Sequence, residues 1–368
     1  MLAGCGAANA QWQILNSNTT ADLRGINNVG GGVAWASGTN GTVLRTEDGG
    51  YLWQPCTVPP GAEKLDFRGI QAFDANTAIV MSSGTGDLSR LYKTTDGCQT
   101  WKLVFTNPDK DGFWDAMRFT DRMHGYLFGD PVSVSGSSEH RFEFEQTYDG
   151  GQTWKQWEPS IHELQATGSG CGFAASNSAL LVVDKFQSVF ATGCAGGSFL
   201  YGVINTSPGF CDCHPMPTEQ EWNNILIVSK PTPAPFPKTE SGGIFSIARA
   251  PDGTIVAVGG DYKKPDDTAN TSATTTDWGK TLQAAQTPPR GYRSAVAYYE
   301  ATGAWVTVGP NGTDVSTDDG LNWWAARPNA SLHEAPDADR NWNALSLPYV
   351  VGPKGRIGKL EIRGIALK

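Results

Sequence analysis

The sequence is poor in charged residues, above all in basic ones. Asp, Glu, Lys and Arg make up 18% of its 368 residues, and the excess of acids gives a formal net charge of −9. The usual charged share is roughly 25%. No basic stripe is available to neutralise phosphates, which argues against nucleic acid as a general partner. The sequence also lacks the run of about 18 apolar residues that a membrane-spanning helix needs.

Glycine, proline and tryptophan are plentiful instead, with 44, 22 and 13 residues. At low charge, this composition suits many short strands joined by tight turns, with aromatic side chains filling the space between sheets. It argues against a helical bundle, a coiled coil or a disordered chain. The length allows one large all-β domain or two medium ones.

An eight-residue pattern, Ser/Thr-x-Asp-x-Gly-x-Thr-Trp, recurs along the chain. Clear copies lie at residues 46–53, 94–101 and 147–154, and weaker copies at 275–282 and 316–323. The aspartate can accept backbone N–H bonds across a turn, the glycine supplies a positive φ, and the tryptophan packs the hairpin against a neighbouring sheet. We call these segments the box turns, and we expect a structural role for their aspartates, which are Asp48, Asp96, Asp149, Asp277 and Asp318.

A second recurring unit predicts the number of blades. It consists of a short tetrad followed by an apolar strand that ends in glycine, and its copies start at Arg24, Arg68, Asp115, Phe245, Arg293 and Asn343. The starts are 44, 47, 130, 48 and 50 residues apart, and the long gap holds two units plus an insertion. The sequence therefore predicts an all-β fold, a single seven-bladed β-propeller of four-stranded antiparallel blades. The last blade lacks an outer strand, which we expect residues 11–15 to supply.

The fourth blade is degenerate. We expect its first three strands at residues 171–176, 179–183 and 199–204. A Cys- and Pro-rich insertion follows at about 205–240, and its proline run at 231–237 could be read as a linker between domains. Because the repeats resume after this run, we interpret it as a loop between blades and place the propeller at residues 11–368.

Residues 1–10 form a leader that contains Leu2-Ala3-Gly4-Cys5. This segment resembles the lipobox of bacterial lipoproteins, in which the cysteine is lipidated. A lipobox follows a signal segment, and here only Met1 and Leu2 precede it, so a simple small-residue leader is the alternative. The lipobox interpretation predicts lipidation at Cys5 and an extracytoplasmic protein, in the periplasm or the cell envelope.

Six cysteines remain once Cys5 is set aside. In an oxidising compartment they could form up to three disulfides. The repeat layout offers two candidate pairs, Cys56 with Cys98 and Cys171 with Cys194. The remaining Cys211 and Cys213 are too close for an easy pair, and together with His214 they could belong to a metal or haem site. Zinc sites usually use two separated ligand pairs, and since no second pair is evident we expect no metal and no cofactor.

One face of the propeller should carry the functional residues, because the loops leading into each inner strand and those joining the second and third strands meet there. We expect the mouth of the channel to be lined by Arg24, Arg68 and Arg293. Three arginines around one opening would form a receptor for an anion or a carboxylate. Alternatively, the arginines are tied to Asp115 and to channel carbonyls as a structural network. We expect Asp130 and Lys264 to lie near the same opening. The candidates for client binding are Arg24, Arg68, Asp115, Arg293, Asn343, Asp261, Tyr262 and Lys263.

The box turns resemble the Asp-box, or bacterial neuraminidase repeat, of β-propellers. Across nearly the whole chain, the blade pattern resembles the photosystem II stability/assembly factor family, in its bacterial branch rather than its photosynthetic one. The segments that carry this resemblance are residues 23–26, 34–38, 243–248, 259–262 and 289–312. The resemblance implies a non-enzymatic extracytoplasmic scaffold, whose arginine-lined channel face binds a protein client. We expect such a scaffold to be a monomer.

A glycan-active enzyme is the alternative, since Asp boxes also occur in sialidases and other glycoside hydrolases. An ordinary glycosidase needs two carboxyl groups facing each other across the sugar, and Asp115, Asp130 and Asp261 could supply them. However, no Arg-Ile-Pro segment precedes the first box turn, and sialidases have six blades rather than seven.

Overall fold

The chain forms a ring of seven antiparallel blades. The computed structural model describes residues 10–134, 136, 138–156, 170–184, 187–195, 197–205, 226–228, 232–328 and 334–362. Within these ranges, the helical structure is a single 3₁₀ turn at Gly86–Leu88, and no helix is long and apolar enough to cross a membrane. The prediction of an all-β, seven-bladed propeller is confirmed.

Each blade is a meander whose first strand lies nearest the central channel. The first strands of neighbouring blades contact one another in a closed ring. The strands of blades 1 to 3 are β2 (Leu23–Gly30), β3 (Val33–Gly38), β4 (Val43–Thr46), β5 (Gln54–Pro55), β6 (Phe67–Ala72), β7 (Ala78–Ser82), β8 (Arg90–Thr94), β9 (Lys102–Thr106), β10 (Trp114–Phe119), β11 (Gly125–Ser133), β12 (His140–Thr147) and β13 (Lys155–Gln156).

The remaining four blades follow the same plan, with a fifth strand added to blade 4. Blade 7 also takes its outermost strand, β1 (Ala10–Leu15), from the start of the chain. The strands of blades 4 to 7 are β14 (Leu180–Asp184), β15 (Gln187–Ala191), β16 (Phe199–Asn205), β17 (Leu226–Val228), β18 (Thr232–Pro233), β19 (Gly242–Arg249), β20 (Ile255–Asp261), β21 (Ser272–Thr275), β22 (Gln283–Ala284), β23 (Ala295–Tyr299), β24 (Ala304–Gly309), β25 (Gly312–Ser316), β26 (Trp324–Ala326), β27 (Ala344–Ser346), β28 (Tyr349–Val351) and β29 (Ile357–Ile362).

The ring is closed by β1, as the sequence predicts. This strand pairs antiparallel with β29 over its whole length. Trp12 is buried and packs against Trp342 with 5.8 Å between ring centroids, and its Nε1 donates to Thr313 Oγ1 at 2.9 Å. Closure in this way pairs the two strand edges that the ends of a linear array would expose.

The core lies between the blades. Side chains alternate between the two faces of a strand, so each blade offers apolar groups to both of its neighbours. In β3, Ala34 and Ala36 pack toward blade 7, whereas Trp35 between them packs against Phe67 and Tyr92 of blade 2. Each of the seven apolar clusters among the described residues joins two adjacent blades in the same manner.

The prediction for blade 4 is wrong in its first two strands. The segment 171–176 is not the inner strand; β14, which was expected as the second strand, takes that place, and β15 follows it. The third strand lies where it was predicted, and both β17 and β18 pair with it. Residues 171–178, which we call the strap, instead lie across the central channel.

Candidate client-binding face

The strap is held by hydrogen bonds to the inner strands of several blades. Asn177 accepts a bond from Met117 N of blade 3 (2.7 Å) and donates to the Ile70 carbonyl of blade 2 (3.4 Å). Ser176 Oγ donates to the Ser294 carbonyl next to β23 of blade 6 (3.0 Å). Since blade 6 lies across the ring from the neighbouring blades 2 and 3, a segment bonded to all three spans the channel.

A disulfide anchors one end of the strap. Cys171 is bonded to Cys194 in the loop between β15 and β16, and Cys56 is bonded to Cys98 between blades 1 and 2. These are the two candidate pairs that the repeat layout offers. They close segments of 23 and 42 residues, and such cross-links stabilise a fold by restricting the unfolded chain.

Two of the three candidate arginines meet beside the strap. Arg68 Nε donates to Asp66 Oδ2 at 2.8 Å, and its guanidinium also donates to the Ala174 carbonyl of the strap at 3.3 Å. Arg24 Nε lies 3.8 Å from Asp66 Oδ1 and has no hydrogen-bond partner. The side chains of Arg24 and Arg68 are 32% and 30% exposed, so two partly accessible cations share one carboxylate.

Aromatic side chains lie next to this pair of arginines. Phe173 of the strap stacks on Phe245 with 3.8 Å between centroids, and Tyr292 contacts the same ring edge-on at 4.7 Å. Burial raises the pKa of Tyr292, while the positive charges of Arg24 and Arg68 oppose that rise. Tyr262 is 48% exposed, with the Lys263 ammonium 6.0 Å from its ring centroid.

The assignment of Arg293 to the client-binding group is wrong. Its side chain is completely buried, and its guanidinium forms an ion pair with the buried Asp314. It also donates to Asn311 Oδ1, and Arg290 bonds the other oxygen of the same carboxylate at 3.0 Å. Buried cations of this kind are held by paired carboxylates and serve the fold. Arg293 therefore has a structural role, although its acidic partner is Asp314 and not the Asp115 of the structural alternative.

Two further candidates bond the backbone or neighbouring side chains. Asn343 Nδ2 donates to the Leu23 carbonyl at 2.8 Å and so links blade 7 to blade 1. Asp261 accepts bonds from the hydroxyls of Thr239 and Ser241 and from Lys263 N. Burial acts to raise the pKa of Asp261, but these bonds outweigh it and hold the pKa below its ordinary value. Both carboxylate oxygens of Asp261 are therefore used within the fold, and Asn343 has one of its amide N–H groups in a bond between blades.

The carboxyl groups of Asp115 and Asp130 lie beneath the strap. The Gly172 N–H donates to Asp130 Oδ1 at 2.7 Å, and a Cβ at Gly172 would overlap the Asp115 carboxylate. Burial raises the pKa of Asp115 well above its usual range, with the charges of Asp130 and Glu143 adding to the effect, and burial raises the pKa of Asp130 to about 6. The strap therefore contacts both of these carboxyl groups, which the glycosidase alternative would use.

The box turns lie on the opposite face, and their aspartates hold the turns. Asp96 is an example: it accepts bonds from the Thr94 hydroxyl at 2.8 Å and from the Thr100 N–H and hydroxyl at 3.0 and 2.6 Å. The Thr100 and Thr94 bonds lower the pKa of Asp96 to about 2. Equivalent bonds are made by Asp48, Asp149, Asp277 and Asp318.

Several predictions fall outside the described residues. These concern the lipid anchor at Cys5 and the segment of Cys211, Cys213 and His214. Among the residues whose positions the structure describes, no three His, Cys, Asp or Glu side chains come together as metal ligands.

Comparison with known structures identifies propellers of the same fold. YCF48 bound to D1 peptide has a TM-score of 0.58 at 16% identity, covering 96% of this chain and 97% of that one. YCF48 from Cyanidioschyzon merolae has a TM-score of 0.59 at 16% identity, covering 95% and 99%. This chain shares their fold. A xyloglucanase from Xanthomonas campestris has a TM-score of only 0.34 at 14% identity, covering 81% of this chain and 47% of that one. No protein-family model and no curated protein matches the sequence.

Sequence reasoning missed two parts of this face. Asp66 stands two residues before Arg68, and an acid so close to an arginine is a local sign of an ion pair. Phe173 and Ala174 were assigned to a strand because they lie in an apolar run. No local signal distinguishes such a run from a segment that crosses the channel of a propeller.

Proposed function

We propose that this chain is a non-enzymatic extracytoplasmic scaffold that binds an acidic segment of a protein client on its strap face. The observation that carries the proposal is the pair of partly exposed arginines, Arg24 and Arg68, which share the single carboxylate of Asp66. A guanidinium forms its strongest hydrogen bonds with carboxylates. The side chain of Arg24 is 32% exposed, so a client carboxylate could reach its guanidinium group.

The aromatic groups beside the arginines suit a peptide rather than a small ion. Tyr262 presents an accessible ring, and Lys263 and Lys264 are exposed next to it. An aromatic ring next to cations offers both apolar contact and charge to a segment with acidic and apolar side chains. The strap spans the channel, so such a segment would lie on the face rather than enter the ring. The structure of YCF48 with a D1 peptide supports peptide binding as a use of this fold.

The two disulfides support the extracytoplasmic part of the proposal. Disulfides persist in oxidising compartments and are rare in the cytosol, and this chain has the bonds Cys56–Cys98 and Cys171–Cys194. A lipid anchor at Cys5 would be consistent with the same location. The anchor and the monomeric state belong to this proposal as well.

The test is capture of client proteins from an envelope extract by the immobilised protein, with quantitative mass spectrometry. The double variant Arg24→Gln/Arg68→Gln should lose the captured proteins, and raising the salt concentration should reduce capture by the unaltered chain. Partly exposed ion pairs contribute at most about 1 kcal/mol, so we expect a nearly unchanged thermal transition.

Arg122→Gln is the matched control, because Arg122 is also an accessible arginine but bonds Asp74 at 2.8 Å near the box turns. It should capture like the unaltered protein. Equal capture by the double variant and the control would contradict the proposal.

A further inference from the structure

The first box turn breaks a pattern that the other four share. In those four, the seventh residue is a threonine or an asparagine whose side chain donates to the box aspartate. The donors are Thr100, Thr153, Thr281 and Asn322, at 2.6 to 2.8 Å from the carboxylate oxygen. In the first box turn this position is Leu52, which cannot donate such a bond, and Tyr51 precedes it. The turn therefore gives up a structural hydrogen bond at a position that carries an apolar side chain.

The apolar side chains of this turn are exposed. Tyr51 is 89% exposed and Leu52 is 49% exposed. Val29, at the end of β2, is 36% exposed, and the turn after it bonds the first box turn through Gly49 N and the Gly32 carbonyl at 2.9 Å. Single exposed apolar residues are ordinary on a protein surface, whereas a group of them indicates a contact with another molecule or with a membrane.

The leader joins the ring beside this turn. In blade 7, β29 and β1 take the places of the third and fourth strands, which a box turn joins in other blades. The start of β1 therefore lies on the face that carries the box turns. Ala10 pairs with Ile362, which stands three residues, or about 10 Å, beyond Lys359 on β29. Lys359 Nζ in turn donates to the Gly49 carbonyl of the first box turn at 2.8 Å.

The short distance along the chain from Ala10 to Cys5 suggests what contacts the exposed group. Cys5 stands five residues before Ala10, and an extended chain of that length spans at most about 18 Å. A lipid on Cys5 would thus hold the start of β1, and with it the first box turn, close to the surface of a bilayer.

The charges around the turn are compatible with a lipid surface. The Lys359 ammonium lies 5.9 Å from the centroid of the Tyr51 ring, and the acidic Glu47 forms an ion pair with Arg45 at 2.6 Å. Tyrosine and lysine side chains suit the boundary between lipid and water, because each joins an apolar body to a polar end.

We infer that the first box turn inserts Tyr51 and Leu52 into the head-group region of the bilayer that holds the leader. The ring would then turn its box-turn face toward the membrane and its strap face toward the client. This inference rests on the lipid anchor at Cys5, which is part of the proposed function, but it does not depend on client binding.

The experiment measures how the full chain partitions onto phosphatidylcholine vesicles after tetradecyl maleimide has been coupled to Cys5. The background is Cys211→Ser/Cys213→Ser, in which Cys5 is the one cysteine outside the two disulfides. A single chain of this length gives only marginal, reversible binding, so a contribution from the protein surface is measurable. In this background, Tyr51→Gln/Leu52→Thr should weaken partitioning about tenfold, since burial of one apolar side chain contributes up to roughly one to two powers of ten.

This variant should fold, because it copies residues 99–100 and 152–153, which are Gln-Thr in the second and third box turns. The new threonine can also make the bond that Leu52 lacks. The matched control is Tyr262→Gln/Leu88→Thr, which changes a tyrosine and a leucine that are 48% and 49% exposed on the strap face. The control should partition onto the vesicles like the unaltered chain.

Equal partitioning of the two double variants would overturn the inference. So would a loss of self-association in Tyr51→Gln/Leu52→Thr, seen by light scattering without vesicles, since the exposed group would then contact a second copy of the chain. The coupling is chemical, so the result does not depend on lipidation in the cell. Client capture should be unchanged in Tyr51→Gln/Leu52→Thr, and Arg24→Gln/Arg68→Gln should partition normally. Failure of this inference can therefore be told from failure of the proposed function.

Discussion

Arg68 and Arg293 occupy the same position of the blade repeat, yet one is 30% exposed and the other is completely buried. The location of the acidic partner accounts for the difference. Arg68, near the start of β6, bonds Asp66 in the loop just before that strand, and both side chains stay partly exposed. Arg293 bonds Asp314 of β25, which lies inside the same blade and draws the guanidinium inward. Equivalent positions in a repeat can therefore carry a surface role in one blade and a structural role in another.

The largest expected effect on stability comes from removing the charge of the buried Asp314 carboxylate. Asp314→Asn should destabilise the protein by about 3–5 kcal/mol, because it leaves Arg293 buried without its counter-ion. Urea denaturation followed by tryptophan fluorescence would measure the change in the free energy of unfolding. The matched variant Asp66→Asn, made in the exposed pair, should cost less than about 1 kcal/mol. Equal losses in the two variants would mean that the two arginines do not differ in role.

The blade count could be predicted from the sequence because the box turns and the inner-strand tetrads recur at regular spacing. Each is a local pattern whose physical role depends on residues within a few positions, as the bonds of Asp96 to Thr94 and Thr100 show. The closing strand was predictable for a related reason, since the last blade lacked one and residues 11–15 had no partner of their own.

The roles of individual arginines could not be predicted in the same way. The burial of Arg293 depends on Asp314, which lies 21 residues further along the chain, and the strap was hidden by its apolar composition.

The strap region and the box turns also differ in how the pKa of their aspartates is shifted. Burial raises the pKa of Asp130, beneath the strap, to about 6, whereas an aspartate in an unfolded chain has a pKa near 4. Between about pH 4 and pH 6, the folded protein therefore holds a proton that the unfolded chain has lost. The free energy of unfolding should fall as the pH rises through this window, by an amount on the order of 2 kcal/mol from this group.

The measurement is urea denaturation at a series of pH values for the unaltered chain and for Asp130→Asn, whose curve should lack this part of the decline. Asp96→Asn is the opposite control, since the pKa of Asp96 is lowered to about 2 and its contribution is lost as the pH falls from about 4. Parallel curves for the unaltered chain and Asp130→Asn across pH 4 to 6 would refute the raised pKa. Asp115 and Glu143 also have raised pKa values and so affect the stability of both proteins. The contribution of Asp130 is therefore the difference between the curve of the unaltered chain and that of Asp130→Asn.

The smallest expected effect is a gain. Asp66 neutralises part of the charge of Arg24 and Arg68, and a client carboxylate must compete with it. Asp66→Asn keeps the shape of the side chain but removes its charge, so client retention should rise by a few-fold, in keeping with exposed pairs of up to about 1 kcal/mol. Retention on the immobilised protein across a salt gradient would measure the change. Asp74→Asn frees the exposed Arg122 near the box turns and should leave retention unchanged. If both variants increased retention equally, net charge rather than the strap-face arginines would govern binding, and the contrast between Arg68 and Arg293 would then carry no consequence for the client.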